Sequence, residues 1–242
     1  MWLTVPGDGE RTGQGCDPAP ATRSIYRHAV AHRPASVLTG DYHDLFPLAD
    51  GCLAVFVGDA AGHGAAAGVL ASALKAILRT HPELHGDPGT ALTTANRMFH
   101  LVSPPDRFLT GVYVLLKDGG QVGWASAGHD PPLQVGATGA VESAALATVG
   151  FPLGIDPREE YETASRHLRP GDRLIMFTDG LVEISGEDGE PFGRSRLASL
   201  ASELIDLPLA EMVNKMIDRA TASRKGRELE DDVTVLGVER VV

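Results

Sequence analysis

The chain has 242 residues, 43% of them hydrophobic, and a formal net charge of −11 at pH 7; that size and apolar share suit a globular domain with a sizeable core. The acidic balance argues against a general nucleic-acid binder, which needs a basic surface to displace counterions from phosphates. No run approaches the roughly 20 apolar residues of a membrane span, and the N-terminus, Met1-Trp2-Leu3-Thr4-Val5-Pro6-Gly7-Asp8, lacks a basic region and an apolar signal segment, so the expected location is the cytoplasm, away from membranes.

Met1 to Thr22 are rich in Gly, Pro, Asp and Thr with almost no apolar periodicity, and residues 1–22 read as a mobile tail. Cys16 in that tail and Cys52 at a strand start make neither a disulfide framework nor a metal-binding spacing. Ser24 to His32 reads as a short helix with Ile25, Ala29 and Val30 on one side, stopped by Pro34. Residues 23–34 are therefore expected to be a helical linker, or a dimer contact, ahead of one dense domain over 35–242.

Within that domain, Ser36 to Tyr42 and Cys52 to Gly58 read as strands joined through Pro47 and the Ala49-Asp50-Gly51 turn. A helix follows from Ala65 to Thr80, with Val69, Leu70, Ala73, Leu74, Ile77 and Leu78 at helical spacing, and a second from Thr90 to Leu101 with Leu92, Ala95, Met98 or Phe99 and Val102 on a core stripe. Thr110 to Leu116 and Gln121 to Ala127 form a hairpin about Asp118-Gly119-Gly120. Gly128-His129-Asp130-Pro131-Pro132 turns the chain into Leu133-Gln134-Val135, and Glu162 to Leu168 and Arg173 to Thr178 flank Arg169-Pro170-Gly171-Asp172. Helices at Arg196 to Leu204 and Leu209 to Ser223 precede a last strand from Asp232 to Arg240. Antiparallel strands interrupted by helix pairs predict an α+β sandwich rather than an alternating parallel sheet.

Four short acidic phrases stand at the edges of apolar strand-like runs: Thr39-Gly40-Asp41, Gly58-Asp59, Thr178-Asp179-Gly180 and Glu230-Asp231-Asp232. An aspartate beside a glycine is ordinarily a turn residue, which suffices for Asp8, Asp50, Asp118 and Asp188. Carboxylates at the ends of buried strands such as Ala54-Val55-Phe56-Val57 need a compensating charge, and Arg173 is the nearest cation in sequence. A bound divalent metal supplies that charge, and hard oxygen ligands without Cys or paired His favour magnesium or manganese over zinc. Val57-Gly58-Asp59-Ala60-Ala61-Gly62-His63-Gly64 delivers an aspartate into a glycine-rich loop before a helix. That loop reads either as a phosphate cradle or as a turn and cap; it lacks the Gly-Lys-Ser/Thr of a nucleotide P-loop.

Seven blocks occur in order: Leu38-Thr39-Gly40-Asp41-Tyr42-His43-Asp44, Gly58-Asp59-Ala60-Ala61-Gly62-His63-Gly64, Ala127-Gly128-His129-Asp130-Pro131-Pro132-Leu133, Pro152-Leu153-Gly154, Pro170-Gly171-Asp172-Arg173-Leu174, Phe177-Thr178-Asp179-Gly180-Leu181-Val182-Glu183 and Asp231-Asp232-Val233-Thr234. Together they resemble the SpoIIE/RsbU-like branch of the metal-dependent (PPM, type 2C) serine/threonine protein phosphatases, over about Ala35 to Arg240. The resemblance implies a four-layer αββα sandwich, two antiparallel sheets flanked by helices, and two divalent cations, Mn2+ or Mg2+. It implies Asp59 as the aspartate bridging both ions with the carbonyl of Ala60 beside it, Asp179 and Asp231 as ligands of the first ion, and Asp41 as the residue serving the second or its waters; Asp232 ranks below Asp231.

The implied reaction is hydrolysis of phosphoserine or phosphothreonine by a metal-activated water, with Asp59, Asp179 and Asp231 acting through that water. The implied substrate is a phosphorylated anti-anti-sigma-type (STAS) regulator in a bacterial partner-switching pathway. His63 has two readings, a general acid for the leaving oxygen and, more simply, a constituent of the Gly62-His63-Gly64 turn. Ala61 stands where many relatives carry Ser, and Thr110-Gly111 replaces a commoner Thr-Ala. The alternative function is a catalytically silent phosphatase-fold regulator that binds a partner; retention of all four acidic phrases weighs against it.

Overall fold

The computed structural model describes residues 25–242 apart from 36–38, 49–50, 63, 82–85, 144–148, 187–188 and 225–227; the predicted 1–22 tail and His63 lie outside the described residues. In chain order the strands are β1 (Tyr26–Arg33), β2 (Asp41–Pro47), β3 (Leu53–Ala60), β4 (Leu109–Leu116), β5 (Gln121–Ala127), β6 (Leu133–Val135), β7 (Val141–Ser143), β8 (Ala164–His167), β9 (Arg173–Phe177) and β10 (Val233–Arg240). The helices are α1 (Ala65–Thr80) and α2 (Pro88–Val102) between β3 and β4, α3 (Asp179–Val182), α4 (Gly193–Glu203) and α5 (Leu209–Thr221) between β9 and β10. Among the described residues two five-stranded sheets form, ordered β1-β10-β9-β6-β7 and β2-β3-β4-β5-β8, with every ladder antiparallel. The expected α+β sandwich with helices outside is the observed architecture.

Side-chain alternation along each strand builds three apolar layers. On β3, Ala54 and Phe56 pack toward α1 and α2 with Leu74, Leu92 and Phe99, whereas Val55 and Val57 face the other sheet and meet Leu174, Met176 and Leu236. The second sheet sends Ile175, Phe177, Val233 and Val235 outward onto Met212, Val213 and Met216 of α5. Gly111 on β4 admits the Phe56 ring, since a Cβ there would lie 2.2 Å from Phe56 Cζ; this accounts for the Gly in Thr110-Gly111. No helix among the described residues is long and apolar enough to cross a membrane.

The predicted helix over Ser24 to His32 is corrected to a strand. Tyr26 to Arg33 pairs residue for residue with β10, Tyr26 opposite Arg240 and Arg33 opposite Val233. Tyr26 and Ala31 are buried and the chain between is partly exposed. Eight paired backbone positions along the free edge of β10 outweigh a weak three-residue helical stripe, and Arg27 and Arg33 place charge on the new edge. Of the 23–34 segment expected to be a helical linker, the described residues 25–34 hold strand β1 instead. Of the strand predicted over Ser36 to Tyr42, residues 36–38 lie outside the described residues, and β2 runs from Asp41 to Pro47, with Pro47 ending an edge strand, where its missing N–H is tolerated. Asp87 caps α2 by accepting from Thr90 N at 2.9 Å, with Pro88 in the first turn, which starts that helix two residues earlier than the apolar stripe indicates.

Candidate metal centre

The same alternation that builds the layers places the acidic residues. Asp59 continues the Val55–Val57 face of β3 and so points between the sheets, opposite Asp41 in the β2–β3 ladder. Asp179 follows β9 at the start of α3, and Asp231 lies just before β10. Both flank strands of the other sheet. Asp59, Asp179 and Asp231 each present one carboxylate oxygen, and the three lie within 4.8 Å of one another.

Glycines permit this convergence at two positions. A Cβ on Gly40 would lie 2.7 Å from Asp59 Oδ1, 3.0 Å from Ala60 O and 3.3 Å from Gly62 O, so three oxygens close on a point that only a hydrogen can occupy. A Cβ on Gly180 would lie 2.0 Å from Asp232 O, so α3 packs directly against the entry to β10. Asp232 itself is spent on architecture: its carboxylate accepts from Ala35 N at 2.8 Å and Gly40 N at 3.0 Å. It secures the Thr39-Gly40-Asp41 segment, and Asp231 carries the outward carboxylate.

Asp41 is buried beside the cluster and not part of it. Its Oδ2 accepts from Thr178 Oγ1 at 2.9 Å and from Thr234 Oγ1 at 2.5 Å. Because the Thr234 hydroxyl donates to Asp41, its contact with His32 Nδ1 at 2.9 Å makes the imidazole the donor there. Burial pushes the Asp41 carboxyl up to about 7, with the two hydroxyls opposing and Asp232 and Asp231 adding to the rise. Asp59 is pushed up to about 8, first by burial and then by the charges of Asp41, Asp179, Asp231 and Asp232. Glu183 is also raised, by burial and then by Asp179, Asp231 and Asp130. Crowded carboxylates that resist ionising together are relieved by a cation. The all-oxygen donor set fits a hard divalent ion, with Asp59, Asp179, Asp231 and the Ala60 carbonyl as the groups that would hold it.

His129 is a cross-tie that sequence reasoning left as a turn. Its buried imidazole donates from Nε2 to Phe177 O at 3.0 Å and accepts at Nδ1 from Thr110 Oγ1 at 3.2 Å. It thereby links the strand leading to Asp179 with the residue paired to Asp59. Burial holds the imidazole below its usual pKa, against the opposing charge of Asp179, so it acts as a neutral strut. Thr178 and Thr234 were visible inside the acidic blocks, but nothing local in the chain announces that their hydroxyls meet on Asp41.

A two-sheet sandwich with helices outside and carboxylates gathered at one end defines a protein of the PP2C-type phosphatase fold. The profile of the family Stage II sporulation protein E (SpoIIE) matches residues 49–241, and the chain belongs to that family. It is 28% identical over 210 residues to the phosphoserine phosphatase RsbU of Bacillus subtilis, covering 86% of this chain and 62% of that protein. The RsbU and RsbW domains of a Mycobacterium tuberculosis protein superpose with a TM-score of 0.78 at 28% identity, over 90% of this chain and 62% of that one. The SiaA PP2C domain of Pseudomonas aeruginosa gives 0.77 at 22% identity, over 88% and 85%, and shows the fold alone. The chain thus spans about three fifths of the length of RsbU.

Proposed function

We propose that the chain is a divalent-metal-dependent protein phosphatase that hydrolyses phosphoserine or phosphothreonine on a partner protein in the cytoplasm. The observation that carries this reading is the meeting within 4.8 Å of Asp59, on β3, with Asp179 and Asp231, which flank strands of the other sheet. Membership of the SpoIIE family and similarity to a phosphoserine phosphatase supply the reaction class. When bound, a pair of Mn2+ or Mg2+ ions supplies Lewis-acid polarisation of the phosphoryl oxygens and a water of lowered pKa.

The chain's own residues do the holding. Asp59, at the junction of the two sheets, is the carboxylate best placed to be shared, and Asp179 and Asp231 complete one side. Asp41, gripped by two threonine hydroxyls, supports the far side from β2. His129 keeps the two strand ends in register. The substrate proposed is an anti-anti-sigma-type (STAS) phosphoprotein, in line with the RsbU-like relatives.

The test is phosphate release from a phosphoserine peptide and from phosphorylated STAS proteins, with manganese and with chelator. Manganese-dependent release that disappears in Asp59→Asn supports the proposal. Absence of release, with binding to a STAS protein retained, would install the silent-regulator reading in its place.

A further inference from the structure

Two concavities lie away from the metal centre, and they differ in whether their charges are spent. The larger, about 710 Å³ between the start of β1 and the start of α5, holds Arg27 and Arg173, and both pair with Glu239, at 2.9 and 3.3 Å. The smaller, about 390 Å³, is lined by the β6–β7 hairpin of one sheet, by β8 of the other and by the Arg169–Asp172 turn that joins β8 to β9. Arg166 and Arg169 line it, both exposed, and neither guanidinium has a partner among the described residues. The buried acid of this cavity does not serve them: Asp172 accepts from the backbone amides of Arg169 at 2.9 Å and Ala137 at 3.1 Å, and from Gln134 Nε2 at 3.5 Å. In a chain of net charge −11, two unpaired arginines on one cavity make a local cationic wall.

The β6–β7 wall is short of donors instead. A carboxylate accepts and does not donate, so the Asp172 contact fixes how the Gln134 amide is turned, nitrogen toward Asp172. Gln134 Oε1 is then buried with no hydrogen-bond partner among the described residues, an acceptor left unpaid by the protein. Glu142 stands directly opposite Gln134 in the β6–β7 ladder and lines the same cavity, which sets two acceptors side by side on one face.

A ligand that satisfies both walls carries an anionic group at one end and two adjacent N–H donors at the other. Guanine presents such a pair, its ring N1–H and its exocyclic amino group, whereas adenine sets its amino group beside a ring acceptor. A free amino acid has matching charges but not the length, and the volume is that of a small-molecule site. We propose that this cavity binds a guanine nucleotide, its phosphate on Arg166 and Arg169 and its base edge on Gln134 and Glu142. Asp172 immediately precedes β9 and Asp179 follows it, so the length of that strand separates this site from the metal centre. The proposal therefore stands independently of the phosphatase reading.

The experiment is calorimetric titration of GMP, AMP and inorganic phosphate into the full chain in chelator, where no metal draws phosphate to the acidic cluster. Wild type is compared with Arg166→Ala/Arg169→Ala and with Glu142→Gln, each checked for a wild-type melting temperature. The expected result is saturable GMP binding to wild type, about tenfold or more tighter than AMP or phosphate, and weakened about tenfold or more in R166A/R169A. E142Q should bind GMP no better than AMP while its phosphate affinity is unchanged. Absence of GMP binding to wild type at millimolar concentration would overturn the proposal. So would equal GMP affinity in R166A/R169A, or AMP or phosphate binding as tightly as GMP.

Discussion

Strand β2 carries two buried aspartates three residues apart, and they meet opposite fates. Asp44 faces the helix layer, where Arg79 of α1 closes on it from two nitrogens, at 2.7 and 2.5 Å, and Tyr42 Oη adds a third bond at 2.9 Å; Arg79 also stacks over Phe46 at 4.8 Å. Burial alone would raise the Asp44 carboxyl, but the Arg79 and Tyr42 hydrogen bonds and the Arg79 charge hold it below the usual carboxylate range. Asp41 points instead between the sheets toward Asp59, Asp179 and Asp231, where carboxylates meet carboxylates and the pKa values rise. One aspartate of the strand is neutralised by the protein's own arginine; the other faces further carboxylates. A fold that pairs one buried acid this thoroughly and leaves its neighbours crowded has a use for the crowding.

The largest expected effect separates function from stability. Asp59→Asn and Asp179→Asn should each weaken Mn2+ binding by about 100-fold or more, beyond the loss typical of supporting residues, and abolish turnover. Asp59→Asn should raise the melting temperature of the metal-free protein, because it removes like-charge repulsion. Near-normal turnover in either variant would break the site assignment.

At the other end, Arg79→Ala should cost about 1–3 kcal/mol of stability by stranding Asp44, below the cost of a fully buried pair because the arginine is half-exposed. Mn2+ affinity should stay within about twofold of wild type, in keeping with additivity between separate sites. A Tm drop of several degrees by calorimetry is the readout.

pH should sharpen the contrast, since the two regions slope in opposite directions. Asp44 has a depressed folded-state pKa, so its contribution is present above about pH 4 and is lost as pH falls through the folded value. Asp59 has a raised one, about 8, so the folded metal-free protein holds that proton longer than the unfolded chain. Its stability should therefore decline as pH rises from about 4 through about 8. Thermal scans in chelator should show the decline and scans with Mn2+ should not; identical curves would contradict the crowding account. Smallest of all, Thr234→Val removes one hydroxyl from Asp41 and the acceptor of His32, and should cost about 1–2 kcal/mol with about tenfold weaker Mn2+ binding.

The chain order of Asp41, Asp59, Asp179 and Asp231 at strand edges was enough to propose a shared cation, because strand alternation and burial are local properties. What the sequence could not show is pairing at a distance. β1 is a strand only because β10 offers an unpaired edge more than 190 residues away. The division of labour between Asp231 and Asp232 depends on where the Ala35 and Gly40 amides fall, and nothing in Asp231-Asp232 distinguishes the two. His129 reads as a turn residue until Thr110 and Phe177 arrive from opposite sheets.

The central claim is that carboxylates from two sheets form one divalent-cation site. Anomalous diffraction at the manganese edge, from crystals soaked in Mn2+, tests it most directly. The account predicts anomalous density bounded by Asp59, Asp179 and Asp231 that vanishes in Asp59→Asn. Manganese bound elsewhere, or no density among these three side chains at saturating Mn2+, would contradict it.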